Sequence, residues 1–255
     1  MSRIAIVSGW TNPGGSTVHF IDLCNLLNDN GFDCTLYGPH GCHLNKCKSG
    51  TPADISLFDE DVIISHYIRV NNKVRKHILS CHETNLFPLK KMDLQRYDTI
   101  HFVSDLQKEW HSVDHPSVII PPVVNNMKWE DPKNNIAGVI GSIDSHKQTH
   151  LSIKRALEDG FSEVILFGTI NDPKYFNENI ISWMDTREVS VAGHLDDKED
   201  MYSKVSAVYH SSKRETYGLV EAECKVSGIP FNGPSNNQDI LEKDEILEKW
   251  ISILK

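Results

Sequence analysis

Glu215 and Glu223 stand eight residues apart, with Thr216-Tyr217-Gly218-Leu219-Val220 between them. Ala207–His210 ahead of them reads as a strand, and Leu219–Val226 as a helix stopped by Gly228. A carboxylate at a strand end can accept hydrogen bonds from sugar hydroxyls. A second carboxylate, one to two turns inside the helix, can hold a vicinal diol such as a ribose. The first N–H groups of that helix, presented by the loop between the two acids, suit a diphosphate. Two solvated glutamates would suit a plain surface helix, but Leu219–Val226 is apolar enough to be buried between strands. A second candidate is Asn12-Pro13-Gly14-Gly15-Ser16-Thr17, where Gly14 and Gly15 let backbone approach a ligand at a helix start. It lacks both the G-x-G-x-x-G pattern and the G-K-[ST] ending of a P-loop. It reads equally as a plain turn with Ser16 or Thr17 as N-cap. His40, Cys42, His43 and Cys47 are zinc-ligand types within eight residues. Their spacing lacks the paired C-x2-C or H-x3-H pattern, and Pro39 and Gly41 suggest a polar loop, so no metal is assigned.

The elements that must position these groups alternate strand and helix. Arg3–Trp10, Cys34–Tyr37, Val62–Tyr67, Lys76–Cys81, Thr99–Val103 and Val118–Ile120 read as strands, and Thr17–Asn28 as a helix stopped by Gly31. The strands are nearly continuous in apolar residues, the mark of buried parallel sheet. Pro121 to Asn135, rich in proline and asparagine, breaks the pattern. A second series follows, with strands Ile136–Ile140, Glu163–Phe167, Val189–Ala192, Ala207–His210 and Ile229–Phe231. Helices are predicted over Thr149–Glu158, Pro173–Trp183, Lys198–Lys204 and Leu219–Val226, and an amphipathic one from Gln238 to Leu254. The fold predicted is α/β: two facing Rossmann-like open parallel sheets, in residues 1–123 and 137–237, joined by a linker at 124–136. The last helix, 238–255, is expected to pack back on the first domain. Ligands in such sheets bind at the carboxyl ends of the strands.

The chain has 255 residues, 39% hydrophobic and 24% charged, with a formal net charge of −9. Those values exclude collagenous, low-complexity and wholly disordered classes. No apolar run approaches the roughly 18 residues of a membrane span, and the start is too poor in apolar residues for a signal peptide. A cytoplasmic protein with reduced thiols is expected, and net acidity disfavours generic charge-driven nucleic-acid binding.

Glu215 through Pro230 resembles the Glu-x7-Glu motif of retaining GT-B glycosyltransferases of the group 1, family-4-like type. That family's run has the form E-[ST]-[FY]-G-L-V-x-x-E-A-x-A-x-G-x-P, and Cys224 stands where alanine is usual. Gly14-Gly15 with Leu26-Leu27 and Gly31 is similar to the family's opening. His194-Leu195-Asp196-Asp197, Ser104, and Ile120-Pro121-Pro122-Val123 resemble further segments in the right order. The resemblance implies metal-independent, retaining transfer of a hexosyl or pentosyl group from a nucleotide-diphosphate sugar, with no other cofactor. It implies that Glu215 contacts the donor sugar and Glu223 the ribose, while Thr216, Tyr217, Gly218, Leu219 and Val220 line the donor. Gly141-Ser142-Ile143-Asp144-Ser145-His146-Lys147 is similar to the family's G-R-L-x-x-x-K. Lys147 would then stabilise the leaving diphosphate, and Ser142 replaces the family's arginine, removing one positive charge. His82, after the strand ending at Cys81, matches a histidine that in the family reaches the donor sugar.

His66 and Glu83 are further cleft candidates on the acceptor side. Residues 1–123 carry 11 Lys+Arg and 13 Asp+Glu, a net of −2, against 15 and 22, a net of −7, for the rest. Within the first half, Arg69, Lys73, Arg75 and Lys76 cluster, followed by Lys90, Lys91 and Arg96. That patch would suit an anionic acceptor such as a lipid-linked sugar or DNA; a solvated basic face reads equally well. The acceptor classes are a glycan, a lipid-linked sugar or a hydroxymethylated DNA base, the last because the chain is short for the family, as phage-encoded forms are. The alternative is a non-catalytic nucleotide-sugar or glycan-binding protein, which the Ser142 departure keeps open. A dinucleotide oxidoreductase is disfavoured by the missing glycine pattern.

Overall fold

The computed structural model of the chain describes residues 3–9, 14–38, 48–50, 61–68, 74–84, 89–236 and 239–255. Asn12, Pro13, the His40/Cys42/His43/Cys47 group, Arg69 and Lys73 lie outside the described residues. The chain divides into two units, Met1–Val123 with Gln238–Lys255, and Val124–Asn237.

The first unit holds a parallel sheet of β1 (Arg3–Ser8), β2 (Asp33–Tyr37), β3 (Lys48–Gly50), β4 (Val62–His66), β5 (Lys76–Cys81), β6 (Thr99–Phe102) and β7 (Ser117–Ile119). Their order is β3-β2-β1-β4-β5-β6-β7, so the winding reverses between β1 and β4. β4 is buried at every position, its polar Ser65 and His66 included, as a central parallel strand covered on both faces should be. Helix α1 (Gly15–Asp29) buries Phe20, Ile21, Leu23, Cys24 and Leu27 against Ile4, Ile6 and Ile64. It ends before Gly31, whose φ of +84° is the left-handed geometry glycine adopts without strain.

The C-terminal helix α8 (Lys243–Leu254) packs into this same core through Ile246, Leu247, Trp250 and Leu254. It is shorter than the span from Gln238 predicted by periodicity, because Glu245 accepts the Glu242 N–H at 3.0 Å and caps the first turn there. Arg75 donates to the carbonyls of Leu254 at 2.7 Å and Lys255 at 2.6 Å, and Lys76 to that of Ile253 at 2.8 Å. Two members of the supposed acceptor patch are therefore engaged in capping this C-terminus, where cations are favoured. Helix α2 (Asp105–His111) escaped the sequence reading, since two turns are too short to show periodicity. Ser104 starts it, its Oγ accepting the Gln107 N–H at 3.1 Å.

The second unit holds β8 (Ile136–Ile140), β9 (Glu163–Phe167), β10 (Val189–Gly193), β11 (Ala207–Tyr209) and β12 (Phe231–Asn232) in the order β10-β9-β8-β11-β12, all parallel. Alternate strand residues face opposite sides. Ala137, Val139, Val164 and Leu166 pack with Ile153 and Ala156 of α3 (Thr149–Glu158). Phe167 and Val208 pack with Met201 and Tyr202 of α6 (Lys198–Ser203) and Cys224 of α7 (Leu219–Ser227). The single helix predicted over Pro173–Trp183 is two, α4 (Pro173–Asn179) and α5 (Ile181–Asp185), broken at Ile180. Asn179 Nδ2 donates to the Tyr175 carbonyl at 3.0 Å, a local side-chain bond that competes with continuation of the ladder. Among the described residues no helix is long and apolar enough to cross a membrane.

Candidate functional site

In the second unit the winding reverses between β8 and β11, the place where open α/β sheets bind ligands. The loop leaving β8 begins at Gly141, with φ +129°. A side chain on Gly168, on the neighbouring strand's exit, would collide with the Gly141 carbonyl, so close approach of the two loops requires glycine there. Asp144 organises the loop. Its Oδ1 accepts the N–H groups of His146 at 2.9 Å and Lys147 at 2.8 Å, and its Oδ2 the Ser142 hydroxyl at 2.6 Å. Ser142 is thus part of the loop's own scaffold.

Lys147 Nζ lies 2.6 Å from Glu215 Oε1, and His210 Nε2, at the exit of β11, donates to the same oxygen at 2.8 Å. Among the described residues Glu215 Oε2 accepts no hydrogen bond, and the side chain is 18% exposed. Burial alone would raise this carboxyl. The Lys147 ammonium and the His210 hydrogen bond outweigh it and hold the group well below the usual carboxylate range. The two loops are tied again where His146 Nε2 donates to the Arg214 carbonyl at 3.0 Å and Lys213 N–H to the His146 carbonyl at 3.1 Å.

Gly218, the N-cap of α7 with φ +84°, has no side chain of its own with which to cap the helix start. A Cβ on Gly218 would lie 2.7 Å from Asn236 Nδ2, which itself donates to the Tyr217 carbonyl at 3.2 Å. Tyr217 is turned into the core at 4% exposure, so the loop presents backbone. Glu223 is 2% exposed; it pairs with Lys198 and accepts the Tyr202 hydroxyl at 2.8 Å.

In the first unit four imidazoles gather. His66 ends β4, His82 follows β5, His101 lies on β6 and His19 on α1. Ring centroids are 4.6 Å apart for His19 and His82, 5.9 Å for His82 and His101, and 5.4 Å for His66 and His82. Burial pushes His66 and His101 down to about 4. His19 and His82 are lowered well below 6.5, by burial first and by neighbouring imidazoles next. His19, His82 and His101 each bring a ring nitrogen within 4.8 Å of the others, a set that by type could hold a metal. Both nitrogens of His101 and one of His82 are already in hydrogen bonds, however. Glu83 Oε1 lies 3.7 Å from His66 Nε2. The Glu83 carbonyl accepts from Gln107 at 3.0 Å and His111 at 3.1 Å, so α2 anchors the segment carrying His82.

No protein-family profile and no curated protein matches the chain by sequence. Solved structures do match. HepE of Anabaena, in complex with UDP and glucose, aligns over 91% of this chain and 80% of its own, with a TM-score of 0.71 at 13% identity. WaaG, a glycosyltransferase involved in lipopolysaccharide biosynthesis, aligns over 100% of this chain and 90% of its own, with 0.64 at 11%. AviGT4, a glycosyltransferase involved in avilamycin A biosynthesis, aligns over 99% and 89%, with 0.63 at 17%. The chain has the GT-B fold.

Within that fold, the candidate residues that lie among the described ones fall into two groups, while Arg69 and Lys73 lie outside them. Gly141, Ser142, Lys147, Glu215, Thr216, Tyr217, Gly218, Leu219, Val220 and Glu223 all belong to the second unit, and the structure joins Lys147 to Glu215 directly. His66, His82 and Glu83 belong to the first and lie together. Gly14 and Gly15 open α1; a Cβ on either would meet open space, so the chain's own packing does not demand glycine there. Sequence reasoning missed His210, Lys198 and Tyr202. His210 ends a predicted strand five residues before Glu215, which was the available signal. Nothing local marks Lys198 or Tyr202 as partners of Glu223.

Proposed function

We propose that the chain is a retaining glycosyltransferase that takes a hexosyl or pentosyl group from a nucleotide-diphosphate sugar. The observation that carries this is the Glu215 carboxylate at the β8/β11 switch point: one oxygen is held by Lys147 and His210, and the other has no partner among the described residues. That free oxygen accepts donor-sugar hydroxyls. The start of α7, whose N-cap is a glycine, and the Lys147 ammonium take the diphosphate, moving positive charge onto the leaving group as the sugar bond breaks. This charge does the work a metal ion performs in other phosphate sites, so the reaction is expected to survive chelation. Glu223, oriented by Lys198 and Tyr202, takes the ribose diol. In the first unit, His82 is the residue that the family resemblance assigns to sugar recognition. The acceptor is a glycan, a lipid-linked sugar or a phage's hydroxymethylated DNA base. Buried thiols at Cys34, Cys81 and Cys224, in no disulfide among the described residues, support a cytoplasmic setting.

HepE's complexes with UDP and with UDP-glucose make UDP-glucose the first donor to try. UDP release is followed for the wild type and Glu215→Gln, with EDTA as a control. The variant should lose at least about 100-fold in kcat, on the scale of about 2.7–4 kcal/mol for losing a positioned polar group. Binding of nucleotide sugars with no turnover of any would favour the non-catalytic reading, which Ser142's engagement with Asp144 supports.

A further inference from the structure

Ser80 and His101 have no role in the chemistry described so far, yet they fix the state of His82. His101 is fully buried, and its Nε2 lies 2.7 Å from the Ile120 carbonyl, which can only accept. The proton of His101 therefore sits on Nε2. Its hydrogen-bond partners among the described residues are the Ser80 hydroxyl and the Ile120 carbonyl, neither of them a counter-charge, and a cation buried without one is strongly disfavoured. His101 is neutral, so its Nδ1 is an acceptor, and the group facing it, Ser80 Oγ at 2.8 Å, must donate its one proton there. Ser80 Oγ then has only lone pairs for His82 Nε2 at 3.0 Å, so His82 Nε2 is the donor.

We infer that Ser80 and His101 are positioning residues that hold His82 in its Nε2–H form, leaving Nδ1 as a bare lone pair. The chain of hydrogen bonds runs His82 Nε2–H to Ser80 Oγ, Ser80 O–H to His101 Nδ1, and His101 Nε2–H to the Ile120 carbonyl. His82 Nδ1 has no hydrogen-bond partner among the described residues, and the residue as a whole is partly exposed. A ligand meeting that nitrogen must bring a donor. Resting here on the glycosyltransferase reading, the donor is a sugar hydroxyl, which His82 accepts and so orients. His19, whose ring nitrogens have no partner among the described residues, packs against His82 and adds no competing hydrogen bond.

The test reads the tautomer directly. Long-range 1H–15N spectra of the full chain at neutral pH should show the His82 proton on Nε2 in the wild type and in Ser80→Thr, which keeps the hydroxyl. Ser80→Ala should give a mixture of the two tautomers, with the thermal midpoint used to confirm folding. Where a donor turns over, Ser80→Ala should lower kcat about tenfold with under a twofold change in KM for the nucleotide sugar, and Ser80→Thr should restore it. A wild-type His82 protonated on Nδ1, or an unchanged tautomer in Ser80→Ala, overturns the inference. Tautomers as stated with no turnover of any nucleotide sugar would leave this inference standing and sink the glycosyltransferase reading instead.

Discussion

Replacing Lys147 with alanine separates two jobs that one ammonium is asked to do. In the free protein Nζ sits 2.6 Å from Glu215 Oε1, with side-chain exposures of 26% and 18%. Unit charges about 4 Å apart attract by about 4 kcal/mol at an effective dielectric of about 20. Desolvation and partial screening reduce this to a net of about 1–3 kcal/mol for a half-buried pair, with His210 remaining to hold the carboxylate. The second unit should therefore lose about 1–3 kcal/mol of stability and still fold. In the complex the same ammonium is expected on the diphosphate, where a charged hydrogen bond contributes about 1.5–3 kcal/mol. UDP affinity should fall about 10- to 150-fold at about 1.4 kcal/mol per decade, while uridine, with no phosphate for Nζ to meet, should weaken less than about twofold. Titration calorimetry with UDP and uridine on both proteins measures the difference of differences, so a general loosening of the site cancels. An equal loss for UDP and uridine would refute the assigned role, and with it the idea that Glu215 holds Lys147 ready for phosphate.

Two further outcomes follow from the geometry. Gly218→Ala puts a Cβ 2.7 Å from Asn236 Nδ2 at φ +84°, a conformation costing a non-glycine residue about 1–2 kcal/mol before the clash. A fall of several degrees in the thermal midpoint is expected, and a neutral result would contradict the backbone described. In acid, His66 and His101 are held at about 4 when folded against an ordinary value of about 6.5, so the unfolded chain binds more protons across that interval. Stability should fall as pH drops from about 6.5 towards 4, by on the order of 2 kcal/mol for each ring at pH 5. Urea midpoints at pH 7 and 5 test this; a flat profile would place these rings in contact with water.

Much of this protein is legible locally. Strands buried on both faces show as short apolar runs whatever surrounds them, as Val62-Ile63-Ile64 does in β4, and α3 and β9 lie where periodicity puts them. Glu215 and Glu223 declare themselves through one loop and one helix, since eight residues suffice to carry both. What the chain could not show along its length is which groups meet once the sheets order themselves. Lys147 reaches Glu215 across 68 residues, Lys198 reaches Glu223 across 25, and Arg75 caps α8 from 179 residues away. His82 is a single histidine among 13 in the sequence. Only the adjacency of β5 and β6 places Ser80 beside His101, and so settles which nitrogen of His82 carries the proton. Residue types decide what a group can donate or accept; strand order and register decide what it faces, because side chains on neighbouring strands meet through the sheet and not through the chain.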